Sequence, residues 1–179
     1  MYYSAHHPSP VGELVLVSDG AALVGLWIAG QKYFGKTIPT ECVERRELPV
    51  LGEGKRWLDD YFAGKKPQIA RLPLAPLGGA FRQMVWQILI GIPYGEVTTY
   101  GQIAQEVARR MGKARMSSQA VGGAVGHNAI SIIIPCHRVV GAHGNLTGYA
   151  GGIDLKVRLL QHEGVDMSEM FVPTKGTAL

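Results

Sequence analysis

The chain has 179 residues, enough for one large domain or two small ones, each with a buried core. Hydrophobic residues make up 46% of the sequence and charged residues 18%, and no apolar run is long enough to span a bilayer. No basic-then-apolar leader begins at Met1, so we expect a cytoplasmic protein without membrane contact. The formal net charge is +4, and residues 80–165 hold 8 Lys/Arg against 4 Asp/Glu. Such a local basic surplus favours phosphate binding, although a solvated surface is its commoner explanation.

The first half predicts a small α/β domain over residues 1–79, including a linker. Two β-rich runs, 11–18 and 21–28, flank Asp19-Gly20, a pair suited to a tight hairpin turn. From Pro49, apolar residues recur at helical spacing until Gly64, which fits a C-terminal cap. Prolines and a glycine pair between residues 65 and 79 then indicate an interdomain connection.

The second half, residues 80–165, predicts a mainly helical domain followed by a loose tail over 166–179. An apolar stripe begins at Phe81 and predicts a helix that ends at Gly91. Thr99 and Gln102 have the spacing of a capping box, so a second helix is predicted to begin there.

A third helix is predicted over residues 119–126, with Ser117 or Ser118 as its cap. Glycine inside a helix costs about 1 kcal/mol relative to alanine, and this segment has three. Close approach to a neighbouring element or to a nucleic-acid backbone would justify that cost. The basic turn between the second and third helices suggests a helix-turn-helix, and a plain helical hairpin in the core remains open.

Cys136 follows a β-branched run, residues 130–134, which predicts a buried strand stopped by Pro135. His137 and Arg138 are placed to stabilise a thiolate, which a nucleophilic cysteine requires. The other cysteine, Cys42, has acidic neighbours and receives no role. The two cysteines lack C-x-x-C spacing, so neither a disulfide framework nor a zinc cluster is indicated.

His137 is a candidate base for the Cys136 thiol. Neighbouring side chains in an extended segment point to opposite sides, so a bridging water would be needed between the two. A base works best when a third group fixes its tautomer, and Glu163 is a candidate for that role. The alternative for Glu163 is a solvated residue at a helix end.

The second half of the sequence contains several short motifs that follow one another in a defined order. They are Phe81-Arg82-Gln83, the run from Pro93 to Tyr100, Ala120-Val121-Gly122-Gly123-Ala124, Asn128, Pro135-Cys136-His137-Arg138-Val139, and the run from Leu146 to Gly152. The ordered set resembles the signature of methylated-DNA–protein-cysteine methyltransferases, also called O6-alkylguanine-DNA alkyltransferases. The resemblance implies an α/β (α+β) fold, with an N-terminal ribonuclease-H-like α/β domain and a C-terminal helical domain. That second domain would hold the helix-turn-helix and the active-site cysteine loop.

The resemblance also implies a mechanism in which Cys136 is the nucleophile. His137 would be its base through water, Glu163 would orient His137, and Asn128 would brace the cysteine loop. Tyr100 would assist base extrusion and donate its hydroxyl proton toward the guanine. An alkyl group would pass irreversibly from O6-alkylguanine in double-stranded DNA to the cysteine of a monomeric protein, with O4-alkylthymine as a second candidate substrate.

The remaining implied site residues fall into two groups. The residues implied to contact DNA are Thr99, Tyr100, Arg115, Gln119, Ala120, Gly122 and Arg138. The residues implied to line the guanine pocket are Val125, Val139, Tyr149, Ala150 and Gly151. No cofactor, metal or methyl donor is required, and the first domain lacks the cysteine cluster with which some relatives bind zinc.

The sequence departs from the family pattern at Gln119. Many relatives have an arginine there, which inserts into the base stack as a finger. Glutamine is shorter and neutral, so it fills part of the gap without supplying a cation. Glutamine at this position puts the extrusion of the base from the duplex in question, and Arg115 is another candidate for that step.

Three other functions remain as alternatives. A non-transferring alkyltransferase-like protein binds the lesion on the same scaffold but replaces the cysteine, whereas Cys136 is present. A cysteine hydrolase would need an oxyanion site and would turn over repeatedly. A helix-turn-helix transcription factor would ordinarily need a dimer segment, and none is evident.

Overall fold

The computed structural model describes residues 1–38, 41–45 and 47–174 and divides the chain into two compact units. Unit 1 comprises residues 1–78 and 129–134, and unit 2 comprises residues 79–128 and 135–179. The last five residues of the predicted tail, 175–179, lie outside the described residues. No helix within the described ranges is long and apolar enough to cross a membrane.

Unit 1 is built on a sheet of four strands, β1 (Tyr2–Ser9), β2 (Gly12–Ser18), β3 (Leu23–Ile28) and β4 (Cys42–Glu44). The strand order is β3-β2-β1-β4, antiparallel except for the parallel β1–β4 pair. The predicted β2–β3 hairpin is confirmed: Gly20 has φ +105°, and the Asp19 carboxylate accepts from the amides of Ala21 and Ala22. β1 was missed, because its His-His-Pro sequence lacks an apolar alternation and the strand is fixed by pairing with its neighbours.

Helix α1 (Pro49–Phe62) packs on the sheet, as its apolar spacing predicts. Gly54 lies where the helix approaches the sheet, and a Cβ there would come within 2.7 Å of Leu16 and 3.1 Å of Leu23. A glycine in the middle of this helix therefore permits the close packing that compensates for its low helix propensity. Gly64, with φ +74°, follows the helix as the predicted cap residue.

The predicted buried strand over residues 130–134 is wrong. Only Ile130 makes a bridge, to Leu26 of β3, and residues 131–134 form a turn. Ile132 has φ +68°, a left-handed conformation that is costly for a β-branched residue. All five side chains are nevertheless buried. The apolar run therefore predicts burial correctly, but it does not predict strand pairing. The Ser131 amide donates to the Leu26 carbonyl at 2.8 Å, whereas the amides of Ile133 and Ile134 bond within the turn, to the carbonyls of Ser131 at 2.8 Å and Ile130 at 3.0 Å.

Unit 2 contains α2 (Ala80–Ile90), β5 (Thr98–Thr99), α3 (Tyr100–Arg110), α4 (Ser118–Gly126), β6 (Val139–Val140) and α5 (Ile153–His162). The three helices predicted between residues 81 and 126 are confirmed. Thr99 and Gln102 form the capping box of α3, and Ser117 caps α4. α4 packs against both α2 and α3, and the Trp86 indole of α2 donates to the Ala124 carbonyl of α4 at 3.0 Å.

Part of the segment predicted as a loose tail over 166–179 contacts the rest of unit 2. Phe171 bonds through its backbone to Gly144 and Leu146, and Met167 and Met170 pack against a buried cluster of unit 2. These contacts hold residues 167–171 against the rest of unit 2, and this segment has no strong local pattern from which they could be predicted.

Candidate active site

Cys136 begins a 3₁₀ turn, Cys136–Arg138, immediately after Pro135. The sequence suggested an extended segment here, with successive side chains on opposite sides. The turn instead changes the direction of each side chain by about a third of a revolution. Cys136 is buried, with 4% of its surface exposed, and the Asn128 amide donates to its sulfur at 3.1 Å. Asn128, for which the resemblance implies a role in bracing the cysteine loop, therefore contacts the thiol itself.

The surroundings of Cys136 act on its pKa in opposite directions. Burial is the largest effect and raises the pKa above its usual value, whereas the Asn128 hydrogen bond, the Lys156 charge and the nearby backbone amides lower it. The net effect is a raised pKa, so the sulfur is a protonated thiol at neutral pH. Ionisation of Cys136 therefore requires a base.

His137 and Glu163 meet, although 26 positions separate them in the sequence. His137 Nε2 lies 2.7 Å from Glu163 Oε1, and both side chains are completely buried. Because an ionised carboxylate can only accept, Nε2 carries the proton. His137 Nδ1 is buried and has no hydrogen-bond partner within the described part of the chain. Burial lowers the pKa of His137, so the ring is neutral and its Nδ1 lone pair can accept a proton.

Arg138 does not face solvent, and its expected DNA contact is wrong. Only 4% of the residue is exposed, and its guanidinium donates to both oxygens of Glu163, at 2.7 and 3.0 Å, and to the Ile92 carbonyl at 2.6 Å. A desolvated guanidinium needs a carboxylate partner, and these three hydrogen bonds all reach groups inside unit 2. Arg138 is therefore part of the cysteine site and not of a phosphate-binding surface.

Lys156 of α5 is a site residue that the sequence reasoning missed. Its side chain is fully buried, and Nζ donates to the carbonyls of Val139 at 2.5 Å and Thr147 at 2.8 Å. It thus joins the strand after the cysteine turn to the loop before Tyr149. Its position three residues before Leu159 on the apolar face of the helix was the available signal, because a lysine there must find polar partners inside.

Tyr100, the first residue of α3, is held against the same loop. Its hydroxyl donates to the carbonyls of Gly148 at 3.0 Å and Thr147 at 3.3 Å. A Cβ on Gly148 would lie 2.7 Å from the Tyr100 oxygen, so only glycine permits this approach. Burial raises the pKa of Tyr100 far above its usual value, which makes the hydroxyl a hydrogen-bond donor and a poor acid.

Comparison with known proteins assigns both halves of the sequence. Residues 1–76 match the family model described as the ribonuclease-like domain of 6-O-methylguanine DNA methyltransferase, and residues 80–165 match its DNA binding domain. The methylated-DNA–protein-cysteine methyltransferase of Haemophilus influenzae is 41% identical over 165 residues, covering 92% of this chain and 87% of the relative. The protein of the same name from Methanosarcina acetivorans is 42% identical over 92% of this chain and 99% of its own length. The chain belongs to the methylated-DNA–protein-cysteine methyltransferase family.

Solved structures of the methyltransferase family match the fold as well. The crystal structure of Mycobacterium tuberculosis O6-methylguanine methyltransferase aligns with a TM-score of 0.76 at 36% identity, covering 98% of this chain and 97% of that one. Mycobacterium tuberculosis OGT in complex with DNA aligns with a TM-score of 0.75 at 38% identity, covering 90% and 91%. The mixed α/β fold, with an N-terminal sheet domain and a C-terminal helical domain, is thereby confirmed.

Apart from Arg138, the residues that the methyltransferase resemblance assigns to DNA contact lie on α3 and α4 or directly beside them. α3 and α4 pack together through apolar faces that include Ile103 and Val121, and residues 111–117 connect them. Arg115, Gln119 and Ala120 are exposed at the connection and at the start of α4. Thr99 and Gly122 are half-buried, so the geometry leaves all five with accessible surface.

The residues assigned to the guanine pocket differ in their accessibility. Val125 and Val139 are almost completely buried, whereas Ala150 and Gly151 keep accessible surface. The Tyr149 hydroxyl is buried without a hydrogen-bond partner among the described residues. Among the described residues no group of three His, Cys, Asp or Glu side chains has the arrangement of a metal site.

Proposed function

We propose that this chain repairs double-stranded DNA by moving an alkyl group from O6-alkylguanine to its own Cys136, once per molecule, and acts as a monomer. The observation that carries the proposal is the state of His137. Its Nε2 is fixed by Glu163 while Nδ1 is buried and unpaired, one residue after a buried thiol. This is the arrangement of an oriented base beside a nucleophile.

The transfer balances without a cofactor or metal. The Cys136 proton passes through a bridging water to His137 Nδ1, and Glu163 stabilises the imidazolium that forms. The thiolate sulfur then forms a bond to the alkyl carbon as the bond from that carbon to O6 breaks. The guanine leaves with the electron pair of that bond and takes up a proton from water, while the His137 imidazolium returns its proton to water, so the protons balance. A thioether remains on Cys136, and no step restores the thiol, so transfer is irreversible and stoichiometric.

Tyr100 acts on the leaving guanine through a hydrogen bond. Its raised pKa opposes complete transfer of the hydroxyl proton, so we expect donation toward the ring with the proton retained on oxygen. In the free protein the hydroxyl is occupied by two backbone carbonyls, and the guanine would replace them. Tyr149, Ala150 and Gly151 follow directly in this loop and are proposed to contact the base.

A base in duplex DNA hides its O6 substituent, so the nucleotide must leave the stack at a cost of a few kcal/mol. α4 supports this step, because glycine and alanine at its exposed start allow a DNA backbone to approach closely. Gln119 is exposed beside them and is proposed to fill part of the vacated space. O4-alkylthymine is proposed as a second substrate of the same pocket.

Mass spectrometry tests the proposal directly. The protein is incubated with a duplex containing one O6-methylguanine, and the expected product is one added methyl per chain on the peptide that contains Cys136. Cys42, half-buried in unit 1, should gain none and serves as the internal control. A duplex with unmodified guanine and the variant Cys136→Ala are the matched negative controls.

Two outcomes would overturn the proposal in favour of its rivals. Tight binding of the lesion duplex with no methyl on Cys136 would indicate a non-transferring lesion-binding protein. Repeated turnover of an acyl substrate, lost in Cys136→Ala, would indicate a cysteine hydrolase.

A further inference from the structure

Arg138 is bound on three sides inside unit 2. Its guanidinium contacts both oxygens of Glu163 and the Ile92 carbonyl, and it lies over the Tyr94 ring at 5.7 Å. The planar fork matches the carboxylate in a way that a lysine ammonium cannot reproduce. Arg138 thus has a defined partner whose own task, in the proposed reaction, is to hold His137.

Glu163 receives donors on both of its oxygens. Oε1 accepts from His137 at 2.7 Å and from Arg138 at 3.0 Å, and Oε2 accepts from Arg138 at 2.7 Å and from the Gly95 amide at 3.1 Å. Four donors surround a buried carboxylate. A protonated carboxyl would have to direct its own O–H into this set, where every neighbouring group already donates. The geometry therefore requires the ionised form.

The charges around His137 favour a neutral ring beside that carboxylate. Burial would raise the pKa of Glu163, and the bonds from His137 and Arg138 reverse this and hold it below its usual value. For His137, burial lowers the pKa, Glu163 raises it, and the positive charges of Arg138 and Lys156 lower it again. Tyr94 lies beside Arg138, and burial and the Glu163 charge raise the pKa of its hydroxyl, which keeps it uncharged. Burial also raises the pKa of the neighbouring Cys136 thiol, so that group is uncharged as well.

We propose that Arg138 is a positioning residue for the transfer reaction: it fixes Glu163 as an ionised acceptor and so keeps His137 neutral, with the proton on Nε2 and the Nδ1 lone pair available. This inference rests on the proposed function, because it names what prepares the base. Without Arg138, Glu163 and His137 would share an extra proton. Either the ring becomes an imidazolium, or the carboxyl becomes protonated and donates to Nε2, which moves the ring proton to Nδ1. Both states remove the lone pair that the Cys136 proton needs.

A purely structural role for Arg138 makes a different prediction. The guanidinium also ties the cysteine turn to the residues after α2 and α5, so its loss would lower stability in any case. Hydrogen bonds that only connect these segments would not control the protonation of His137. The distinguishing measurement must therefore report on the ring itself.

Nitrogen-15 NMR of labelled histidine in the unalkylated protein provides that measurement. The His137 signals are assigned by their loss in His137→Gln. In the wild type we expect a neutral ring protonated on Nε2 at neutral pH. A charged ring, or a proton on Nδ1, would overturn the inference without any further variant.

The variants Arg138→Gln and Arg138→Lys complete the test. In Arg138→Gln we expect the neutral Nε2-protonated form to be lost at a pH about 1 to 3 units higher than in the wild type, since one opposite charge near a carboxylate shifts titration by that amount. Arg138→Lys restores the charge without the fork and should recover part of the shift. Trp86→Phe is the control, because it removes another buried hydrogen bond of unit 2 and should leave the His137 titration unchanged.

Single-turnover methyl transfer is measured on the same proteins. The transfer rate of Arg138→Gln should be lower than that of the wild type. The acid limb of its pH–rate profile should move to higher pH by the same amount as the His137 titration. An unchanged His137 titration in a folded Arg138→Gln protein would overturn the positioning role. Absence of transfer in the wild type would instead refute the proposed function, and the NMR result would still decide whether Arg138 governs the His137–Glu163 pair.

Discussion

Replacing Lys156 by methionine should change how the stability of the protein depends on pH. Burial lowers the pKa of Lys156 from 10.5 to about 8, and the Cys136 charge opposes that decrease. In the unfolded chain the lysine regains its ordinary pKa, so between these two values the unfolded state binds more protons than the folded state. The contribution of Lys156 to the free energy of unfolding therefore decreases as pH falls from 10.5 toward 8 and increases again as pH rises.

The magnitude follows from the size of the shift. Each pKa unit corresponds to about 1.4 kcal/mol, so lowering the value from 10.5 to about 8 represents about 3 kcal/mol. The free energy of unfolding of the wild type, minus that of Lys156→Met, should increase by most of that amount between pH 8 and pH 10.5. Other groups that titrate in this range, such as the tyrosines, are shared by both proteins and largely cancel.

Urea unfolding at a series of pH values measures this difference. The absolute stability of Lys156→Met at pH 7 combines a relieved burial cost with two lost hydrogen bonds, so the pH dependence is the informative quantity. Lys113 is exposed on the turn before α4, and Lys113→Met is the matched control with no expected change in slope. Parallel profiles for the wild type and Lys156→Met would refute the assignment of Lys156 as a buried, partly neutralised cation.

Three further outcomes are expected. Gln119→Arg should raise the single-turnover rate on duplex DNA and leave the rate on single-stranded DNA unchanged, and an equal effect on both would remove Gln119 from base extrusion. Asn128→Ala removes the donor to the Cys136 sulfur and so raises the pKa of the thiol. Methyl transfer should therefore slow roughly 10-fold or more at neutral pH, and the rising limb of the pH–rate profile should move to higher pH. An unshifted profile would contradict this. Thr99→Ala breaks the capping box with Gln102, which should cost about 1 kcal/mol and lower the Tm by roughly 2–4 °C, and calorimetry that shows no decrease would refute the contribution of the cap.

Elements of unit 2 that depend on local chemistry were predictable from the sequence. The capping box of α3 needs only a threonine and a glutamine three positions apart, and both bonds form. Ser117 at the start of α4 likewise satisfies the amide of Ala120. These interactions close within one helical turn, so the residues that make them are also the residues that reveal them.

Residues 130–134 mark where local reasoning fails. A run of isoleucines has the same composition in a buried strand and in a buried turn, and the hydrophobic effect that drives its burial has no direction. Only the backbone partners separate the two, and Ile130 finds one at Leu26, about a hundred positions earlier, while the left-handed Ile132 ends any strand.

Cys136 was identified from the sequence because its neighbours and the ordered motifs around it are contiguous or nearly so. The partners of its base were not determined in this way. The family resemblance implied a DNA contact for Arg138, and the sequence left Glu163 open between a residue that orients His137 and a solvated surface residue. The tertiary structure decided both, because charge pairing depends on distance in space, and folding brings a carboxylate 25 positions away against that guanidinium.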